Sequence, residues 1–215
     1  MGPRRDHPNR LLVEGKDELR VLPELLELAG VPWPKGGEPV WIEEKVGVDS
    51  LLGPHVISTT AKASGVQAIG VIVDANGDPA ARWRAVHARL SEIDPAVPDE
   101  RPTGGLIHAP AGKLRLGAWL MPDNVATGML ETMLLALRAD AAALHAHARA
   151  AIDDARNLGA PVRAAHQAKA ELHTWLAWQD PPGRQLHDAV RARLLVPAPE
   201  VTAPFVAWFR ALFQV

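Results

Sequence analysis

The run from 67 to 73, Gln-Ala-Ile-Gly-Val-Ile-Val, limits what this chain can fold into more than any other segment. It is apolar and rich in β-branched residues, and it ends in the turn formers Asp74, Ala75, Asn76, Gly77 and Asp78. A strand without a polar face must be covered on both sides. A largely parallel sheet meets that demand, because the crossover helices supply the cover.

The flanking segments repeat the pattern. Residues 10–13 read as a strand and 16–29 as a helix, in which Leu19, Leu22, Leu25, Leu26 and Leu28 keep roughly helical spacing. Pro23 predicts a kink or a break into two shorter pieces, and Gly30, Pro32 and Pro34 end the helix. A second strand is expected over 40–45, then a helix capped by Asp49 and reaching about residue 63, its start distorted by Gly53-Pro54. Pro79 suits the first turn of a helix over 80–92, and 95–102 is a loop. Residues 105–109 and 114–121 read as a hairpin across 110–113. Beyond Pro122 the pattern is helical, over 128–138, 140–157, 162–178, 183–194 and 203–213. The expected fold is α/β: a mostly parallel sheet flanked by helices in 1–125, with a helical region in 126–215 packed on that core as an extension or as part of one domain.

Composition narrows the chemistry. The absence of cysteine excludes disulfides, thiolate zinc and a cysteine nucleophile, and fits a reducing compartment. No run reaches the ~20 apolar residues of a membrane span, and the start, MGPRRDHPNR, lacks the apolar core of a leader. The expected location is the cytoplasm, with no membrane partner. A net charge of -2 is not that of a general nucleic-acid coat, so contact with DNA or RNA would need a local patch or a bound cation. Two of the nine histidines, His145 and His147, point about 200° apart on a helix, and no others stand at ligand spacing, which argues against zinc. The tryptophans are scattered and read as packing residues, and neither a phosphate loop nor a G-x-S-x-G elbow occurs.

The acids are more telling. Glu14 follows the first strand and Glu18 comes one helical turn later, so both can face one spot above the strand's carboxyl end, where open α/β sheets bind ligands. Asp74 closes the later strand in the same way, with Asn76 and Asp78 spaced behind it. Such oxygen donors suit Mg²⁺ or Mn²⁺. Asp123 after the last strand and Glu131 at a helix start are further candidates for the metal shell. Any one of these acids alone is more often a helix cap, a dipole partner or a solvated charge. The convergence of two acidic strand ends is what carries the argument.

Glu14-Gly15-x-x-Glu18 after a first strand, with Asp74-Ala75-Asn76 after a later one, resembles the Toprim domain, and most of all the OLD-type nucleases. The segments 119–124, 128–131 and 169–177 are similar to a small uncharacterised Toprim-related bacterial family. The resemblance implies a Toprim-like fold and a metal-dependent nuclease acting on DNA or RNA. Glu14 and Glu18 would flank one metal, Asp74 would share it or hold a second, and Lys169 would stabilise phosphoryl charge. Glu14, Asp74 and Lys169 are thus the expected catalytic set. Family context implies a role in phage defence beside a partner ATPase, and allows a homo-oligomer. Asn76 stands where that pattern expects a second aspartate, which opens the alternative of a weakened, non-catalytic module that binds a protein or a nucleic acid. A phosphatase of the haloacid-dehalogenase kind ranks low, because Asp74 follows a later strand and lacks the Asp-x-Asp-x-Thr context.

Overall fold

The apolar runs become the strands of one sheet in the computed structural model, which describes residues 7–139 and 142–215. Its strands are β1 (Asn9–Val13), β2 (Trp41–Glu44), β3 (Ala68–Asp74), β4 (Leu106–His108) and β5 (Arg115–Met121), in the order β2-β1-β3-β5-β4. All neighbours are parallel except β4, which pairs antiparallel with β5 at one edge. The helices in chain order are α1 (Lys16–Leu28), α2 (Val48–Leu51), α3 (Val56–Ala61), α4 (Pro79–Ser91), α5 (Leu130–Ala136), α6 (Ala142–Asn157), α7 (Gln167–Ala177), α8 (Leu186–Arg191) and α9 (Pro199–Phe213).

Side chains of the interior strands alternate between two cores, as a pleat with period two requires. Leu11, Val13, Ile72, Trp119 and Met121 enter a core built with α1, α5, α7, α8 and α9. Leu12, Ile69, Val71, Val73, Leu116, Ala118 and Leu120 enter the other, built with α2, α3 and α4. Both faces are covered by helices at these positions, so the strands read as apolar runs in the sequence. Gly70 and Gly117 pair across β3 and β5 on the first face. A Cβ on Gly70 would come within 2.9 Å of Leu11 and Phe213, and one on Gly117 would overlap Leu212. Glycine at both positions lets the end of α9 lie directly on the sheet. Trp119 packs against Phe205 and Trp208 of the same helix, with ring centroids 5.2 and 5.6 Å away.

Several expectations change. α1 runs unbroken through Pro23, since Val21, Leu22, Leu25 and Leu26 are buried on both sides of the missing N–H donor and hold the turns together. The helix expected to reach residue 63 is two short ones, because Gly53-Pro54 interrupts it; α2 starts after Gly47, and Asp49 lies inside its first turn instead of capping it. A 3₁₀ turn, Ala164–His166, precedes α7, and α9 begins earlier than expected, at Pro199. Positions 140 and 141 of the expected helix over 140–157, and residues 1–6 of the segment read for a leader, lie outside the described residues. Among the described residues no helix is long and apolar enough to cross a membrane.

Candidate metal centre

Because β1 and β3 are parallel neighbours, their carboxyl ends lie side by side. Glu14 follows the first and Asp74 ends the second, and Glu14 Oε1 accepts the Asp74 backbone N–H at 2.9 Å. α1 starts two residues after Glu14. Its third residue, Glu18, turns back so that Oε2 accepts the Gly15 N–H at 3.0 Å, and only 8% of the residue remains exposed. The chain after β5 closes the other side. Asn76 and Gly128 exchange backbone hydrogen bonds of 2.7 and 2.9 Å, an antiparallel bridge that brings the start of α5 to the cluster. The Leu130 N–H then donates to Asp74 Oδ1 at 3.0 Å, and Glu131, 3% exposed, follows it. Asn76 has φ 52°, a left-handed conformation that asparagine tolerates better than most residues. α7 packs on α5 and sets Lys169 Nζ 2.9 Å from Glu131 Oε1 and 3.5 Å from Asp17 Oδ2.

These groups line a cavity of about 340 Å³, whose lining among the described residues carries the acids Glu14, Asp17, Glu18, Asp74 and Glu131 and the lysines Lys16 and Lys169, with Arg82 near enough to act on Glu14. Burial and the excess of negative charge together raise the pKa values of Glu14, Glu18 and Asp74. Burial, reinforced by Glu14, Glu18 and Glu131, pushes the Asp74 carboxyl up to about 8. Burial with repulsion from Glu131, Glu14 and Asp17 pushes Glu18 to about 7, against the pull of its backbone hydrogen bond. Glu14 is raised too, chiefly by burial, with the Asp74 N–H and Arg82 pulling the other way. For Lys169, burial alone would lower the pKa, but its bonds to Glu131 and Asp17 outweigh that and hold the ammonium above its ordinary value.

The donor set fits a hard divalent cation. Every acid offers oxygen, and Glu14, Glu18 and Asp74 each give one oxygen to a backbone N–H while the other has no hydrogen-bond partner among the described residues. Among the described residues no three His, Asp or Glu side chains stand close enough, as placed, to share an ion. Rotation of the acids about their side-chain torsions would be needed to close a coordination shell.

Six of the eight residues singled out from the sequence line this one cavity: Glu14, Glu18, Asp74, Asn76, Glu131 and Lys169. Two do not. Asp78 caps α4 by accepting the Ala81 N–H at 2.8 Å. Asp123 is exposed and accepts the N–H groups of Val125 and Ala126 at 2.9 and 2.7 Å. In both cases nearby backbone donors satisfy a short acid that spacing alone had made a candidate. Asp17 was missed. Its position between Glu14 and Glu18 was the available signal; it pairs with Lys169 and also adds to the repulsion on Glu18. His166 also reaches the cavity, beside Arg163.

A family model described as "Protein of unknown function (DUF3226)" matches residues 8–214. No curated protein and no solved structure matches the chain.

Proposed function

The chain belongs to the DUF3226 family, whose description names no activity, and from the carboxylate cluster we propose that it is a divalent-metal-dependent phosphodiesterase of Toprim type acting on DNA or RNA. One observation carries this reading: Glu14, Glu18 and Asp74 line one cavity at the carboxyl ends of two adjacent parallel strands, with more negative charge than the protein itself neutralises. A sheet order with two central parallel strands ending in acids supports the Toprim-like assignment of the fold.

Glu14, Glu18 and Asp74 would hold the ion, with Glu131 next to them. Mg²⁺ or Mn²⁺ bound there supplies positive charge that offsets the acids and polarises a phosphodiester. The chain's own part is positioning. The Glu14 carboxylate grips the Asp74 backbone and keeps the two strand ends in register. The Leu130 N–H orients the Asp74 carboxylate, and Asn76 through its bridge to Gly128 fixes where α5 begins. Lys169, restrained by Glu131 and Asp17, offers an ammonium to the non-bridging oxygens of a phosphate at the cavity mouth. A partner ATPase and a role in phage defence extend this proposal by analogy with OLD-type nucleases.

The test is nicking of supercoiled plasmid with Mn²⁺. Activity is expected in the wild type and absent in Glu14→Ala and Asp74→Ala; full activity in both folded variants contradicts the reading. A second reading, a weakened module that binds a protein or a nucleic acid, draws on the engagement of each acid by a backbone N–H and on the neutral Asn76. Asn76→Asp separates the two. A gain in nicking marks a catalytic site short of one charge, and unchanged inactivity with intact metal binding marks the binding module.

A further inference from the structure

A second and larger cavity, about 830 Å³, opens on the opposite face of the sheet beside the edge strand β2. Its origin is the break at Gly53-Pro54. The short α2 and α3 cover β1 and β3 but stop short of β2, no residue of which joins the core on that face. The gap is lined by Trp41, Glu43 and Lys45 from alternate positions of the edge strand and its extension, by Arg10 from β1, and by Thr59 and Thr60 from α3.

Arg10 is the anomaly. It lies on an interior strand, is only 6% exposed, and its Nη2 is buried with no acceptor. Its Nε makes one long bond of 3.4 Å to the His7 carbonyl, and no described acid pairs with it. A buried guanidinium without a counter-charge is costly, and the planar donor fork is suited to phosphate. Beside it Lys45 adds an ammonium, held 2.6 Å from Glu43 Oε1, and Trp41 adds an aromatic face. The volume falls within the usual range for small-molecule sites, roughly 300–1,000 Å³. We infer that this cavity is a nucleotide-binding pocket, in which Arg10 and Lys45 take the phosphate of a nucleoside monophosphate unit and Trp41 covers its base.

The pocket adjoins the acidic cavity through the backbone. Lys45 N–H bonds to the Val13 carbonyl at 3.0 Å and Gly47 N–H to the Glu14 carbonyl at 2.7 Å, so one cavity's Lys45 and the other's Gly47 are separated only by Val46. Val46 is 79% exposed with φ 55°, a conformation that β-branched residues rarely adopt. The bound unit is therefore either a free nucleotide or a nucleotide within a strand that continues over Val46 to the acids; the second form rests on the phosphodiesterase reading.

Calorimetric titration of the full chain in EDTA, with inorganic phosphate, adenosine monophosphate and a short single strand of thymidylates, tests the assignment. Adenosine monophosphate is expected to bind saturably and more tightly than phosphate. Arg10→Met should weaken it by about tenfold or more, as loss of a charge-assisted contact does. Trp41→Leu should weaken the nucleotide but not phosphate, and Lys45→Met, at the rim, provides the same reading if the Arg10 variant does not fold. An oligonucleotide binding more tightly than the mononucleotide identifies the strand form, and equal affinities identify a free nucleotide. No saturable binding of any probe, or affinities unchanged in Arg10→Met and Lys45→Met, overturns the proposal. EDTA strips the acidic cavity of metal, so failure of the nicking test would leave this result standing.

Discussion

Helix α7 carries two ionic residues two positions apart, Lys169 and Glu171, and they belong to opposite electrostatic worlds. Glu171 is 2% exposed, yet His145 Nε2 at 2.7 Å, Arg149 Nε at 3.0 Å and Gln167 Nε2 at 2.7 Å saturate its carboxylate. Burial alone would raise its pKa, but these three donors outweigh burial and hold it below its ordinary value. On the other face of the helix, Lys169 is the nearest cation to a group of acids that lacks enough of them, and there the pKa values rise. Withdrawal from water is common to both regions. What differs is whether the protein supplies the counter-charge itself, and a buried acid left uncompensated is stable only if it is protonated or if something outside the chain neutralises it.

The largest effect expected from this contrast is on activity. Changes in the outer shell of a metal site cost ~10–100-fold, so Asp74→Asn should lower plasmid nicking by more than about 100-fold. Glu171→Gln, assayed where it is folded, should nick at close to the wild-type rate. The stability consequences should run the other way. Glu171→Ala strands three donors and should cost on the order of 2 kcal/mol in denaturant unfolding, because Arg149 is largely exposed and partly rehydrates. Glu18→Gln in metal-free protein should cost nothing or stabilise. A loss in Glu18→Gln as large as that in Glu171→Ala would erase the distinction.

Asn76→Asp should have a smaller, divided effect: a lower melting temperature in EDTA, because a further acid joins an uncompensated group, and a higher one than wild type once Mn²⁺ is added. The pH dependence is the subtlest test. Asp74 rises from an ordinary 3.8 to about 8 on folding, so the native state keeps a proton that the unfolded chain has lost, and metal-free stability falls as pH climbs through that window. Asparagine carries no such proton. The melting temperature of Asp74→Asn should therefore overtake that of the wild type as pH rises toward 8 in EDTA. Glu171, whose pKa is lowered from 4.5, contributes stability above that value and loses it as pH falls through its folded value.

The same distinction explains what could be read in the sequence. β1, β3 and β5 were legible because strands buried on both faces advertise themselves as continuous apolar runs. Glu14, Glu18 and Asp74 followed from local rules of strand ends and helical turns. That Glu131 and Lys169 meet them was not local, since it depends on the bridge between Asn76 and Gly128 and on the packing of α7 against α5. Asp78 and Asp123 looked equivalent to the cluster acids because spacing does not reveal which carboxylates the neighbouring N–H groups will satisfy. Arg10 passed as an ordinary strand residue, for its isolation shows only once α2 and α3 are seen to stop short of β2. Pro23 and Gly53-Pro54 gave opposite outcomes from similar signals: a buried face carried the helix through the first, and the second split its helix.

On the proposed reading the acids around Asp74 await a divalent cation, whereas Glu171, already paired with His145, Arg149 and Gln167, does not. Calorimetric titration of EDTA-stripped protein with Mn²⁺ near neutral pH addresses it directly. Saturable binding with release of protons from Glu18 and Asp74 is expected, abolished in Asp74→Asn and retained in Glu171→Gln. Absence of binding in the wild type, or binding that survives in Asp74→Asn, would contradict it.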